Sequence, residues 1–99
     1  MQVEAAKVVV SFFELAEEDP RVKLGHLGLY TALLAACIRA GSTNPFSISR
    51  SSIMRQAKMS SRSTYNQMMR DLMQFGFIRY LPAQNGLSLS IVLLRKLEA

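Results

Sequence analysis

An α+β fold, mainly α, is what this chain predicts, and three observations carry that expectation. Apolar residues recur at three- and four-residue steps over most of the chain as far as Phe75, the spacing of amphipathic helices. Ser49 and Ser60 stand where helix N-caps are needed, and Gly41 and Gly76 stand where helices should stop. After Gly76 the pattern changes to two β-rich runs, Phe77–Leu81 and Leu87–Leu94, joined by a loop holding Pro82 and Asn85-Gly86.

Length and composition bound the rest. The 99 residues can build one core and are too few for two. With 49% hydrophobic and 19% charged residues, the chain reads as a globule rather than a disordered tail. No apolar run approaches the roughly 18 residues a membrane span needs. Met1-Gln2-Val3-Glu4 lacks the basic leader and apolar core of a secretory signal. Cys37 is the sole cysteine, which excludes an internal disulfide framework and fits a reducing, cytoplasmic setting.

Charge is unevenly spread. Residues 1–20 hold five acids against Lys7, a net of −4, whereas residues 21–99 hold eleven basic residues against Asp71 and Glu98, a net of +9. A basic domain gains affinity for phosphate backbones by releasing counterions, although the same charge also serves solubility. The expected division is an N-terminal helix over 1–20 ahead of a basic domain over 21–99.

Val3 to about Glu18 has helical spacing, with a strand through Val8-Val9-Val10 as the competing reading. Pro20 ends this element, because proline disfavours helix at the preceding residue. A second helix, Leu24 to Ala40, is apolar nearly all round and should be the buried central one, closed by Gly41. His26 has no partners at ligand spacing, so a metal role is not expected, and Cys37 reads as core. After the loop Ser42-Thr43-Asn44-Pro45 comes a short extended piece, Phe46-Ser47-Ile48. Ser49 then caps a helix from Arg50 to Ala57, and Lys58-Met59 turns the chain. Ser60 caps the next helix, whose inner face is Tyr65, Met68, Met69, Leu72 and Phe75. This order predicts a winged helix-turn-helix with an extra N-terminal helix and a small antiparallel β wing, Phe46–Ile48 supplying the third strand.

The outer face of the last helix suggests a task. It carries Arg62, Ser63, Asn66, Gln67, Arg70 and Gln74 with a single acid, Asp71, on the whole helix. In a helix-turn-helix the N-terminal part of this helix enters the major groove, leaving Arg62, Ser63, Thr64, Asn66 and Gln67 nearest the base edges. Arginine pairs with guanine and asparagine or glutamine with adenine, at about 1–3 kcal/mol of discrimination per good pair. Arg50, Ser51, Arg55, Lys58, Ser61 and Arg70 suit the DNA backbone. Arg79, Gln84 and Asn85 are the wing candidates, in a wing without charge between Pro82 and Ser90 and so expected to add little. The expected partner is double-stranded DNA.

An enzyme is not expected. There is no His/Asp/Ser set, no glycine-rich phosphate loop and no paired Cys or His ligands. Nothing points to a cofactor or a small-molecule ligand. Val8, Val9, Phe12 and Phe13 form an apolar band on the N-terminal helix, which either pairs two copies into a homodimer or packs onto its own domain.

Several stretches carry a resemblance: Asp19-Pro20-Arg21-Val22, His26-Leu27-Gly28-Leu29-Tyr30, Asn44 to Arg50 with Met54, Ala57 to Ser61, Ser63-Thr64-Tyr65 and Leu72 to Tyr80. In them the chain resembles short winged-helix proteins of bacterial mobile elements such as conjugative transposons. The resemblance implies a DNA-binding regulator. It fails in the wing, where Ala83 replaces the usual serine and only Ser88 or Ser90 can stand for a later glycine-serine pair. Two other readings stay open: a winged-helix protein-interaction module, and a replication-initiator-type domain of a DNA replication or transfer complex.

Overall fold

In the computed structural model of the chain, residues 3–83 and 89–97 are described. Among them run four helices and three strands: α1 (Ala5–Glu18), α2 (Leu24–Arg39), β1 (Phe46–Ile48), α3 (Arg50–Gln56), α4 (Arg62–Gln74), β2 (Ile78–Leu81) and β3 (Ser90–Leu94). The fold is α+β and mainly helical. Val8-Val9-Val10 lie within α1, so the strand alternative fails there.

α2 is the central element, as its near-absence of polar residues requires. Leu29, Tyr30, Ala32, Leu33, Leu34 and Cys37 are buried, and α1, α3, α4 and β1 all pack on it. The sheet has the order β1-β3-β2, with both pairings antiparallel. Its inner face places Phe46, Ile48, Ile78, Val92 and Leu94 in the core. Alternation then turns Ser47, Arg79, Leu81 and Ile91 outward. Asn44 fastens the end of β3 from the side: its amide donates to the Leu94 carbonyl at 2.7 Å and its carbonyl accepts the Leu94 N–H at 2.9 Å.

α1 belongs to the same core as the rest. Phe12 is 1% exposed and stacks on Tyr30 with ring centroids 3.9 Å apart. This corrects the expected apolar band, because Phe12 faces inward and Val8 is half-buried against the same cluster. Burying a phenylalanine contributes roughly 1.5–3 kcal/mol, so α1 has a strong reason to dock on its own chain. Val9 and Phe13 of the band remain exposed, joined by Val10.

A second correction concerns the start of α4. The cap is Ser61, whose hydroxyl accepts the Thr64 N–H at 3.2 Å, and Ser60 stays in the connection. The α1–α2 connection is held by Asp19, which takes Arg21 in a two-pronged pair at 2.9 and 2.7 Å. The same guanidinium lies 4.3 Å from the centre of the Phe75 ring, tying this connection to the end of α4.

Candidate nucleic-acid interface

α3 and α4 begin alike. Each opens with Ser-Arg-Ser: Ser49-Arg50-Ser51 and Ser61-Arg62-Ser63. The first serine caps, accepting from Ser52 N–H in α3 and from Thr64 N–H in α4. The second serine lies with its hydroxyl 3.1 Å from the first in both cases. The arginine between them takes the first helical position, and neither first turn contains an acid. A helix N-terminus is the positive end of the dipole and favours anions, typically by 0.3–1 kcal/mol. Arg50 and Arg62 therefore add cations where the backbone already repels them. Nothing in the first turn of either helix offsets this.

The turn between the helices repeats the theme. α3 ends with the Met59 N–H on the Met54 carbonyl (2.8 Å) and the Lys58 N–H on the Arg55 carbonyl (3.3 Å), the Schellman arrangement. That arrangement needs a left-handed residue, and here it is Lys58, at φ 61. Arg55, in the last turn of α3, is by contrast favourably placed for the dipole.

All the candidates on α3, the turn and α4 are exposed: Arg50, Ser51, Arg55, Lys58, Ser61, Arg62, Ser63, Thr64, Asn66, Gln67 and Arg70. Arg62, Asn66 and Arg70 succeed one another at four-residue intervals along one stripe of α4. Thr64 sits on the flank that leads, seven residues later, to Asp71. Ser61 and Ser63 are engaged with each other, which leaves their hydroxyls less available than those of a bare helix face. Among the described residues the ion pairs are Lys7–Glu4 and Arg21–Asp19, and Asp71 is taken by His26, so no acid pairs with Arg50, Arg55, Lys58, Arg62 or Arg70.

Asp71 is turned away from this surface by a contact the sequence concealed. Its Oδ2 lies 2.8 Å from Nε2 of His26, which is buried in α2. Nδ1 of His26 accepts the Lys23 N–H at 2.8 Å, so the ring proton is on Nε2 and is donated to the carboxylate. The other oxygen accepts from the Gln67 amide at 2.8 Å, and Arg70 in turn donates to Gln67 at 3.1 Å. The His26 bond, then those from Gln67 and the nearby charges, hold the Asp71 carboxyl below its ordinary range against the opposing effect of burial. Sequence spacing gave His26 no partner because the acid lies 45 positions away and meets it only when α4 packs on α2. The chain Arg70–Gln67–Asp71–His26 orients Gln67 and Arg70 from the core outward. Gln67 is thereby committed to neighbours, which makes it less suited to reading a base.

The wing candidates separate. Arg79 lies on the outer face of the sheet, opposite Leu93, rather than at a tip. Gln84 and Asn85 lie outside the described residues. No helix among the described residues is long and apolar enough to cross a membrane, and no group of three or more His, Cys, Asp or Glu there is placed to hold a metal ion. Compared with models of protein families, with curated proteins and with solved structures, the chain matches none.

Proposed function

We propose that the protein is a winged helix-turn-helix that binds double-stranded DNA sequence-specifically and acts as a transcriptional or mobile-element regulator. The observation that carries this reading is the set of cations on α3, the turn and α4. Arg50 and Arg62 stand at two helix N-termini and Lys58 in a left-handed turn, each where local energetics disfavours it, and no acid among the described residues pairs with them. An external polyanion supplies the missing counter-charge. Arg62 and Asn66 are the base readers in this reading, with Ser63, Thr64 and Gln67 in supporting places. Arg50, Ser51, Arg55, Lys58, Ser61 and Arg70 hold phosphates. The helical order and the three-stranded sheet are compatible with a winged-helix layout, in which α4 lies in the major groove.

The test is duplex binding across a salt series. Wild-type affinity for a selected site should fall steeply as salt rises, since each phosphate contact released contributes close to one unit of log–log slope. Arg62→Ala should cost about 1–3 kcal/mol and relax the preference at one base pair, whereas Arg70→Ala should weaken all sequences alike. If binding is indifferent to salt, or a protein carrying Arg62→Ala together with Arg70→Ala binds as tightly as wild type, the protein is not a DNA binder of this kind. The surface then belongs to a protein-interaction module.

A further inference from the structure

The outer face of the sheet is apolar as well as exposed. Leu81 is 67% exposed, Ile91 38% and Met73, at the end of α4, 40%. With Leu93 they line a shallow groove of about 520 Å³, bordered by Arg79 and Arg95 and without any acid. Neither arginine takes part in an ion pair among the described residues.

On α1 the complementary surface faces solvent. Phe12 and Ala16 face the core, and the solvent side, running round from the flank at Val9 (38% exposed), shows Phe13 (45%) and Val10 (56%). Glu14 and Glu17 accompany them at helical spacing and are exposed. The only base of α1, Lys7, is paired with Glu4 at 3.1 Å. Each surface thus sets charge of one sign beside exposed apolar side chains. Neither suits a copy of itself: two sheet faces would set arginines against arginines, and two α1 stripes would bring together surfaces rich in acids. The two suit each other.

We propose that the sheet's outer groove receives the acidic apolar stripe of α1 from a second copy of the chain, with Arg79 and Arg95 meeting Glu14 and Glu17. Apolar burial supplies the attraction and the charges set the register, which is the usual division of labour at an interface. Because every copy carries one stripe and one groove, the association closes reciprocally into a two-fold pair or continues head to tail. Arg79, a wing candidate by sequence, has a role at this interface that is independent of nucleic acid.

Sedimentation velocity without DNA tests the proposal. At tens of micromolar in low salt the wild type sediments faster than a monomer, and added salt shifts it back. Arg79→Glu with Arg95→Glu makes both surfaces acidic, and Glu14→Lys with Glu17→Lys makes both basic; each double variant alone sediments as a monomer. An equimolar mixture of the two regains the faster boundary, which also shows that both are folded. The proposal is overturned by a monomeric wild type, by either double variant associating alone as the wild type does, or by a mixture that stays monomeric. A monomeric wild type would leave an acidic amphipathic helix of a different protein as the occupant of the groove.

Discussion

α3 and α4 end in the same backbone turn with different residues in its strained position. At the end of α4 the Phe77 N–H reaches the Leu72 carbonyl at 2.9 Å and Gly76 sits at φ +90. α3 closes with the same pair of hydrogen bonds, but Lys58 occupies the left-handed site at φ 61. Glycine adopts this conformation without a steric penalty, and a residue with a Cβ pays roughly 1–2 kcal/mol for it. The α4 terminus leads only into β2. The α3 terminus lies between two helix starts that each carry an arginine. The α3–α4 turn is therefore not optimised for stability, and the residue at its strained point is a cation.

Substitutions at the two left-handed positions should act in opposite directions. The largest effect is expected from Gly76→Ala, which forces a Cβ into a φ that L residues rarely adopt. It should destabilise the fold by about 1–2 kcal/mol in urea titrations. An unchanged midpoint would mean that the turn relaxes freely, and the contrast with Lys58 would lose its meaning. Lys58→Gly should act in the opposite sense, raising stability by up to about 1 kcal/mol as the strain is relieved. On the proposed function it should also weaken duplex binding and make the salt slope shallower by about one. A variant that is more stable and binds equally well would separate Lys58 from any contact with phosphate.

The smallest effect concerns the acid that α4 turns away from its basic face. Because His26 and Gln67 hold the Asp71 carboxyl below its ordinary value of 3.8, its ionised form contributes stability that is fully in place above about pH 4. That contribution is lost as acid protonates the group in the fold. Wild type should therefore lose stability below pH 4 more steeply than Asp71→Asn. Parallel curves for the two proteins would show that the His26–Asp71 contact adds nothing to the fold.

Much of the architecture was legible because local chemistry decides it. The apolar periodicity of α2 required burial, and Gly41 and Gly76 stop helices where left-handed residues are found. Ser49 caps as expected, and the alternation in Ser90–Leu94 matches a strand with one face in the core. The start of α4 was off by one residue, since Ser60 and Ser61 are equally good caps and only the length of the turn chooses between them. The basic candidates of α3 and α4 were also legible, as residue types on an amphipathic face. That no acid among the described residues pairs with them is a property of the folded surface.

The chain by itself determined the order of its elements, their caps and stops, and the charge of the α3–α4 face, because these depend on neighbours within a turn or two. Tertiary structure decided what depends on distance in sequence. It placed Phe12 against Tyr30 and so took it from the exposed band of α1, and it joined His26 to Asp71. It also used Asn44 to bind the end of β3, 50 positions away, and set Arg79 beside exposed leucine and isoleucine on the sheet. Ser60 to Ile78 held the clearest local signal. Packing on α2 then turned its single acid toward His26 and left the arginines outward, because the buried imidazole is a partner that α4 alone could not offer.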